Sequence, residues 1–250
     1  MKLLALNASH KKTGGNTQQI IDALMAGAVL CGAAVETIRL SKYDIRPCLA
    51  CDYCQKQDHY GCVHDEKDDF VDILEKCKGA DVIIYATPIY VFQISSKLKT
   101  FLERIHSRGK AGIRTFSKAN LLFHDMERDV LRNPFVSIIT ADNVEKETTC
   151  GAKRFFEAFS LFMDAPHVGS IVRNGCALLF NGGNNEYNGK LKEILADTQE
   201  AGKCLSVNGF IPKRLEKRIS KNVLPIPVPL FNILKRTKTG RQKLLTRSNG

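Results

Sequence analysis

Three apolar runs constrain the fold of this chain more than any other feature. They are Lys2-Leu3-Leu4-Ala5-Leu6-Asn7, Ala80-Asp81-Val82-Ile83-Ile84-Tyr85-Ala86 and Phe135-Val136-Ser137-Ile138-Ile139-Thr140. Each is too short for a buried helix, and none shows the alternation of a strand with one wet face. Burial on both faces is what a central strand of a parallel sheet requires. Each run leads into a polar loop and then into a segment whose apolar residues have helical spacing.

The first such segment starts near Asn16, an N-cap candidate with Gln19 three residues on in a capping-box-like pattern. Its stripe is Ile20, Leu24 and Ala28, flanked by Ile21, Met25 and Val29. Residues 34–40 read as a second strand, and residues 41–64 as a long loop. A helix is expected from Asp65, with Phe70, Ile73, Leu74 and Cys77 inward and Gly79 at its end. The run 80–86 should turn at Thr87-Pro88, since proline cannot continue a central strand. A helix from Ser95 or Ser96 turns Leu98, Phe101, Leu102 and Ile105 inward. Residues 107–133 are basic and irregular, with an ambiguous helix around 117–131. After the run 135–140, a helix over 146–162 buries Phe155, Phe159 and Phe162. Residues 168–172 form a fifth strand, 181–185 a loop and 188–206 a helix. This alternation predicts an α/β fold, a doubly wound five-stranded parallel sheet with helices on both faces.

In such sheets ligands sit beyond the C-terminal ends of the strands. The loops 8–17, 86–92 and 140–150 lie there, and the loop after the second strand is expected at the same edge. Loop 8–17 combines hydroxyls, basic residues and Gly14-Gly15 ahead of a helix N-terminus, where free N–H groups and the helix dipole favour an anion. It contains neither G-x-x-x-x-G-K-[ST] nor G-x-G-x-x-G, which argues against a nucleotide triphosphate or a dinucleotide of the usual kind.

The loop 41–64 carries Cys48, Cys51, Cys54 and Cys62, four of the nine cysteines, spaced C-x2-C-x2-C-x7-C. Met1 to Ala8 lacks the long apolar stretch and cleavage site of a secretory signal, so a reducing cytoplasm is expected, where such arrays bind metals or do redox work. Three readings stand. Four thiolates can hold a [4Fe–4S] cluster or a structural zinc, or they can remain free thiols. The x2 intervals favour the cluster over zinc, and free thiols stay open. His59 and His64 read as surface loop residues and Cys77 as core. Cys31, Cys176 and Cys204 read as structural, and Cys150 as a half-buried residue in the first turn of its helix.

The net charge of +11 is unevenly placed. Residues 207–250 hold eleven Lys/Arg and one acidic residue, Glu216, which leaves 1–206 nearly neutral. The chain is therefore divided into a domain over 1–206 and a basic extension over 207–250. The extension contains Pro225-Ile226-Pro227-Val228-Pro229 and the apolar Leu230-Phe231-Asn232-Ile233-Leu234. Packing on its own domain or a second subunit is the favoured role, and contact of 225–247 with an anionic membrane surface is an alternative. Nucleic acid is disfavoured, because no binding module is present. No apolar run reaches the length of a membrane span.

Taken together, these motifs resemble the NADPH-dependent FMN reductase-like branch of the flavodoxin-like proteins. Ser9…Asn16-Thr17 is similar to its phosphate loop, with Lys11 where the family often has Arg and Ser-His-Lys in place of Ser-Pro-Arg. Thr87-Pro88-Ile89-Tyr90 is similar to its flavin loop, and Lys97-Leu98-Lys99 with Phe101…Arg104 to the helix that follows. The cysteine array is similar to that of the branch's iron–sulfur flavoproteins. The resemblance covers about 1–206. It implies strand order 2-1-3-4-5 and FMN held by Ser9, Lys11, Asn16, Thr17, Thr87, Pro88, Ile89 and Tyr90. It also implies a [4Fe–4S] cluster on Cys48, Cys51, Cys54 and Cys62, NAD(P)H as an electron donor, a small-molecule or protein redox partner, and a homo-oligomer. A cluster-free FMN or quinone reductase and a non-enzymatic carrier or sensor are the alternatives.

Overall fold

The apolar runs pair with one another side by side. A computed structural model of the chain describes residues 1–56, 59–127, 129–181, 185–224, 226 and 228–246. Strands β1 (Lys2–Asn7), β2 (Ala34–Arg39), β3 (Val82–Tyr90), β7 (Phe135–Thr140) and β8 (His167–Arg173) form a parallel sheet in the order β2-β1-β3-β7-β8. In terms of the parallel strands alone this is the expected 2-1-3-4-5. The switch in order falls between β1 and β3, whose register places Asn7 beside Ala86.

Helices α1 (Asn16–Leu30) and α7 (Asn185–Asn208) cover one face, and α3 (Phe70–Lys78), α4 (Ser96–Glu103) and α5 (Cys150–Met163) the other. The crossing of α1 and α7 is unusually close. A Cβ on Gly27 would overlap the Gln199 carbonyl, and one on Gly202 would overlap the Leu24 carbonyl. Each helix thus supplies a side-chain-free position where the other's backbone approaches. The core under α7 continues past residue 206. Ile211, Leu215, Ile219 and Val223 are buried with it, three of them in or beside α8 (Lys213–Ile219). Arg173, 1% exposed, donates to the carbonyls of Ile219, Lys221 and Asn174, satisfying groups at the C-terminal end of α8 that lack intrahelical donors.

Several boundaries differ from expectation. Gly15, not Asn16, is the N-cap of α1: it adopts φ 98°, and the Asn16 side chain turns to Asp142 instead of capping. Val29 is exposed at the end of that helix. Helix α3 starts at Phe70 rather than Asp65, because the Asp65 and Asp68 carboxylates are drawn to Arg104. Strand β3 does not stop at Thr87. Thr87 and Pro88 still pair with Ile139 and Thr140, and the strand then folds back through β4 (Gln93–Ile94). Proline is tolerated because β1 has already ended at Asn7, so no strand needs its missing N–H on that side.

Residues 117–131 are not helical. They belong to an antiparallel hairpin of β5 (Gly109–Phe116) and β6 (Leu122–Met126), turned at Asn120 with φ 59°. In α5 the fully buried aromatic is Phe156. Phe155 and Phe159 are half-buried, and Phe162 is exposed. Most of the 181–185 loop and residues Pro225, Pro227 and Arg247 lie outside the described residues. Within the extension, α9 (Val228–Leu234) lies beside the loop after β7, where Lys235 pairs with Glu145 at 2.8 Å, and α10 (Lys238–Thr246) follows. Among the described residues no helix is long and apolar enough to cross a membrane.

Candidate functional site

Loop 8–15 joins β1 to α1 in a backbone path that glycine permits. Gly14 and Gly15 have φ of 56° and 98°, and a Cβ on Gly15 would press on Lys11 Cδ at 3.3 Å. The loop is held from both sides. Arg39 Nη1 donates to the carbonyls of Lys11 and Gly14, each at 3.1 Å, and Nη2 donates to Gln18 at 2.6 Å. Ser9 is buried, with its N–H on Asn7 Oδ1 and its hydroxyl accepting from the Lys11 N–H. The first-turn N–H groups of α1 have no carbonyl acceptor within the helix and point out of its N-terminus. Thr17 stands in that turn, buried, its hydroxyl 2.7 Å from that of Thr140.

The flavin-loop candidates are tied to this loop through one residue. Ser95 Oγ donates to the Ala8 carbonyl at 2.7 Å and caps α4 by accepting from the Leu98 N–H. The Ser95 N–H donates to Thr87 Oγ1, and Thr87 in turn donates to the Pro88 carbonyl, both at 2.9 Å. Thr87 and Ser95 are fully buried, so their hydroxyls are committed to holding the loops together. Ile89 is partly buried against the core. Tyr90 is 40% exposed and lies 4.9 Å from the His10 ring, centroid to centroid. His10 reaches Ser96 Oγ at 3.1 Å. Val91 and Phe92 form the tip between β3 and β4, both with left-handed backbone and both exposed.

The candidates from 9–17 and 87–90 therefore share one edge. The cysteine loop starts at that edge, where Ser41 donates to the Lys11 carbonyl at 3.3 Å, but its cysteines gather elsewhere. Cys48, Cys51, Cys54 and Cys62 line one small cavity of about 20 Å³, whose other walls include Arg104, His106 and Ser107 past the far end of α4. Cys48 and Cys51 are exposed, Cys62 half-buried and Cys54 buried. As placed, no three of the described Cys, His, Asp or Glu side chains stand together closely enough to hold a metal ion. The donor set nevertheless suits a metal group in kind and number: four thiols on one cavity, with N–H groups from Ala50 and Gln55 on two sulfurs.

Both ends of that loop are closed by one ion-pair network. Arg104 Nη1 donates to Asp68 and to the Arg46 carbonyl, and Nη2 to Asp65 at 3.0 Å. Asp68 accepts the Arg46 N–H, and Asp65 accepts the Cys62 N–H at 2.8 Å and Arg108 at 2.7 Å. His64 is buried rather than a surface residue. Cys77 and Cys176 are buried as expected, and burial pushes the Cys176 thiol up to about 12. Cys31 is exposed at the end of α1 and Cys150 is exposed at the start of α5, contrary to the structural and half-buried readings, while Cys204 is half-buried.

Sequence reasoning missed Arg39, Ser95, Thr140, Asp142 and Gln55. Ser95 carried a signal as the cap of a helix, whereas Arg39 and Gln55 act through contacts that no local pattern announces.

The family model for NADPH-dependent FMN reductase matches residues 1–123. The iron–sulfur flavoprotein of Methanosarcina thermophila is 36% identical over 104 residues, covering 42% of this chain and 52% of that protein. The chain spans about half the length of the curated relatives it matches. The FMN-dependent NADH-azoreductase of Bacillus anthracis, solved in complex with FMN, superposes with TM-score 0.61 at 16% identity, over 82% of this chain and 100% of that one. The NAD(P)H:quinone oxidoreductase of Methanothermobacter marburgensis gives TM-score 0.55 at 15% identity, over 82% and 96%. At such identities the likeness establishes the fold, which is flavodoxin-like.

Proposed function

We propose that this chain is an FMN-dependent oxidoreductase, on the strength of the match of residues 1–123 to the NADPH-dependent FMN reductase family model. It passes electrons between a reductant, NAD(P)H or a ferredoxin-like protein, and a small acceptor. The observation that carries this reading is the buried junction of Ala8, Thr87 and Ser95, which fixes an anion-binding loop and a proline-stiffened loop against each other at the strand ends. A phosphate at one end and a ring at the other match that arrangement.

FMN supplies the hydride and single-electron chemistry when bound. The chain binds and orients it. Ser9, Asn16 and Thr17 with the first-turn N–H groups of α1 hold the phosphate, and Lys11 adds positive charge. Pro88, Ile89 and Tyr90 border the ring, Thr87 holds their loop from beneath, and the preset backbone at Pro88 limits the entropy lost on binding. No side chain is assigned as a general acid or base.

Cys48, Cys51, Cys54 and Cys62 are proposed to hold a [4Fe–4S] cluster as a second redox centre. In support, all four line one cavity, and relatives carry the name iron–sulfur flavoprotein. A cluster-free NAD(P)H-dependent FMN or quinone reductase is the second reading, favoured by thiols that do not converge as placed. A non-enzymatic carrier or sensor is the third. The visible spectrum of anaerobically purified protein separates the first two: a cluster adds broad absorption over the flavin bands that dithionite bleaches. Oxidation of NADPH with added quinone or flavin then separates enzyme from carrier. Colourless protein that takes up no FMN would sink the central reading. A cytoplasmic homo-oligomer, with the extension packed on its own body through Lys235 and Glu145, completes the proposal.

A further inference from the structure

The hairpin β5–β6 lies outside the sheet, and its own pairing is interrupted. The register slips between Lys110 and Arg114, which leaves the Ala111 N–H without a cross-strand acceptor from β6. That N–H donates to Gln55 Oε1 at 2.7 Å, and Gln55 Nε2 donates to the Gly109 carbonyl at 2.9 Å. The side-chain amide thus takes the place of a neighbouring strand. Pinned at two points, it cannot rotate, and its remaining N–H is aimed at Cys54 Sγ at 3.4 Å. Flipping the amide would break all three contacts, so the network itself assigns its orientation.

Other hairpin residues hold the same stretch of chain. Lys110 Nζ donates to the carbonyls of Cys54 at 3.0 Å and His59 at 2.8 Å, and the Tyr60 hydroxyl donates to Asp125 Oδ2 at 3.2 Å. Cys54 is the one buried member of the array, 8% exposed. Its sulfur has least access to water, so a protein donor matters most there.

We propose that the hairpin is the scaffold of the cysteine site and that Gln55 is a positioning residue, which orients the Cys54 thiolate and stabilises its negative charge. The inference rests on reading the four cysteines as an iron–sulfur site. Partners of metal ligands set ligand orientation and affinity, and hydrogen bonds to sulfur set cluster potentials. An N–H···S donor favours the more negative, reduced state, so its loss lowers the potential.

The test compares the wild type with Gln55→Leu and Gln55→Glu, purified anaerobically. Gln55→Glu keeps the length and can still accept from Ala111 but has no proton for Gly109 or Cys54, so it decides the matter if Gln55→Leu fails to fold. Iron, acid-labile sulfide and FMN per chain are measured, with the rate of iron loss to a chelator and the midpoint potential of the cluster. Both variants are expected to retain FMN, to lose iron about tenfold faster and to show a lowered potential. Wild-type rates and potential in the variants would overturn the role of Gln55. FMN without iron in the wild type would instead overturn the cluster reading, and the inference with it.

Discussion

The hydroxyls of Thr17 and Thr140 lie 2.7 Å apart, joining the first turn of α1 to the end of β7. One proton serves the pair, which leaves the other hydroxyl proton free for an anion at the helix N-terminus. Thr17→Val removes both the bond and the donor. It should cost about 1 kcal/mol of stability and weaken FMN binding on the order of tenfold. Titration of apoprotein with FMN, followed by flavin fluorescence, measures this; unchanged affinity would mean that the phosphate does not reach this turn.

Val91 and Phe92 occupy a two-residue hairpin turn with φ of 48° and 64° and are 90% and 69% exposed. Such turns favour Asn-Gly, and a branched or aromatic residue in left-handed backbone costs on the order of 1 kcal/mol. Little burial offsets this. Val91→Asn combined with Phe92→Gly should therefore stabilise the chain by about 1–2 kcal/mol, read as a higher urea midpoint.

Arg104 joins Asp65 and Asp68, and the Asp68 side chain has no exposed surface. Arg104→Met leaves both carboxylates without that partner and should cost about 3–5 kcal/mol. Arg104→Met with Asp68→Leu should lose less than the two single changes added together, because it removes the orphaned charge along with its partner. Denaturant unfolding of the four proteins supplies the cycle. Strict additivity would show that the pair is not coupled.

His167 stacks on Phe135 at 4.5 Å and contacts Ser137 Oγ at 2.9 Å. Burial holds its pKa below the ordinary value, Lys213 adds to the effect, and Glu216 and Glu157 oppose it. The unfolded chain therefore binds a proton here at higher pH than the folded one. Stability should fall as pH drops below about 6.5 and level off below the folded value. The urea midpoint measured from neutral to mildly acidic pH should show this loss in the wild type and less of it in His167→Asn.

The parallel strands were legible because each carries its own signal: a run such as Val136–Ile139 is apolar whatever surrounds it. The hairpin was not. Its residues show no clean alternation, with only Gly109 and Met126 buried, and their pairing is set by one another and by Gln55. Strand β3 was cut short for a related reason, since the proline rule applies only where a neighbouring strand needs the N–H, and β1 ends before Pro88. At the candidate site the loop residues near 9–17 and 87–90 were readable from composition. Arg39 was not, because its partners lie far away in the chain, and Ser95 was readable only as a helix cap, not as the tie to Ala8 and Thr87. The cysteine loop leaves that same edge at Ser41, as expected, while the cavity of its four cysteines borders Arg104 at the other end of α4.

That helix has a consequence for distance. Ser95 belongs to the junction at the strand ends, and Arg104 to the wall of the cysteine cavity. The nine residue steps from one to the other rise roughly 13 Å at helical pitch. One rigid rod, rather than a set of adjustable contacts, therefore spaces the two sites. A single residue inserted into α4 would turn Arg104 by roughly 100° away from the cavity, so the spacing can change only in whole helical turns. Helix α4 acts as a ruler, and the distance between the two sites is set by counting its residues.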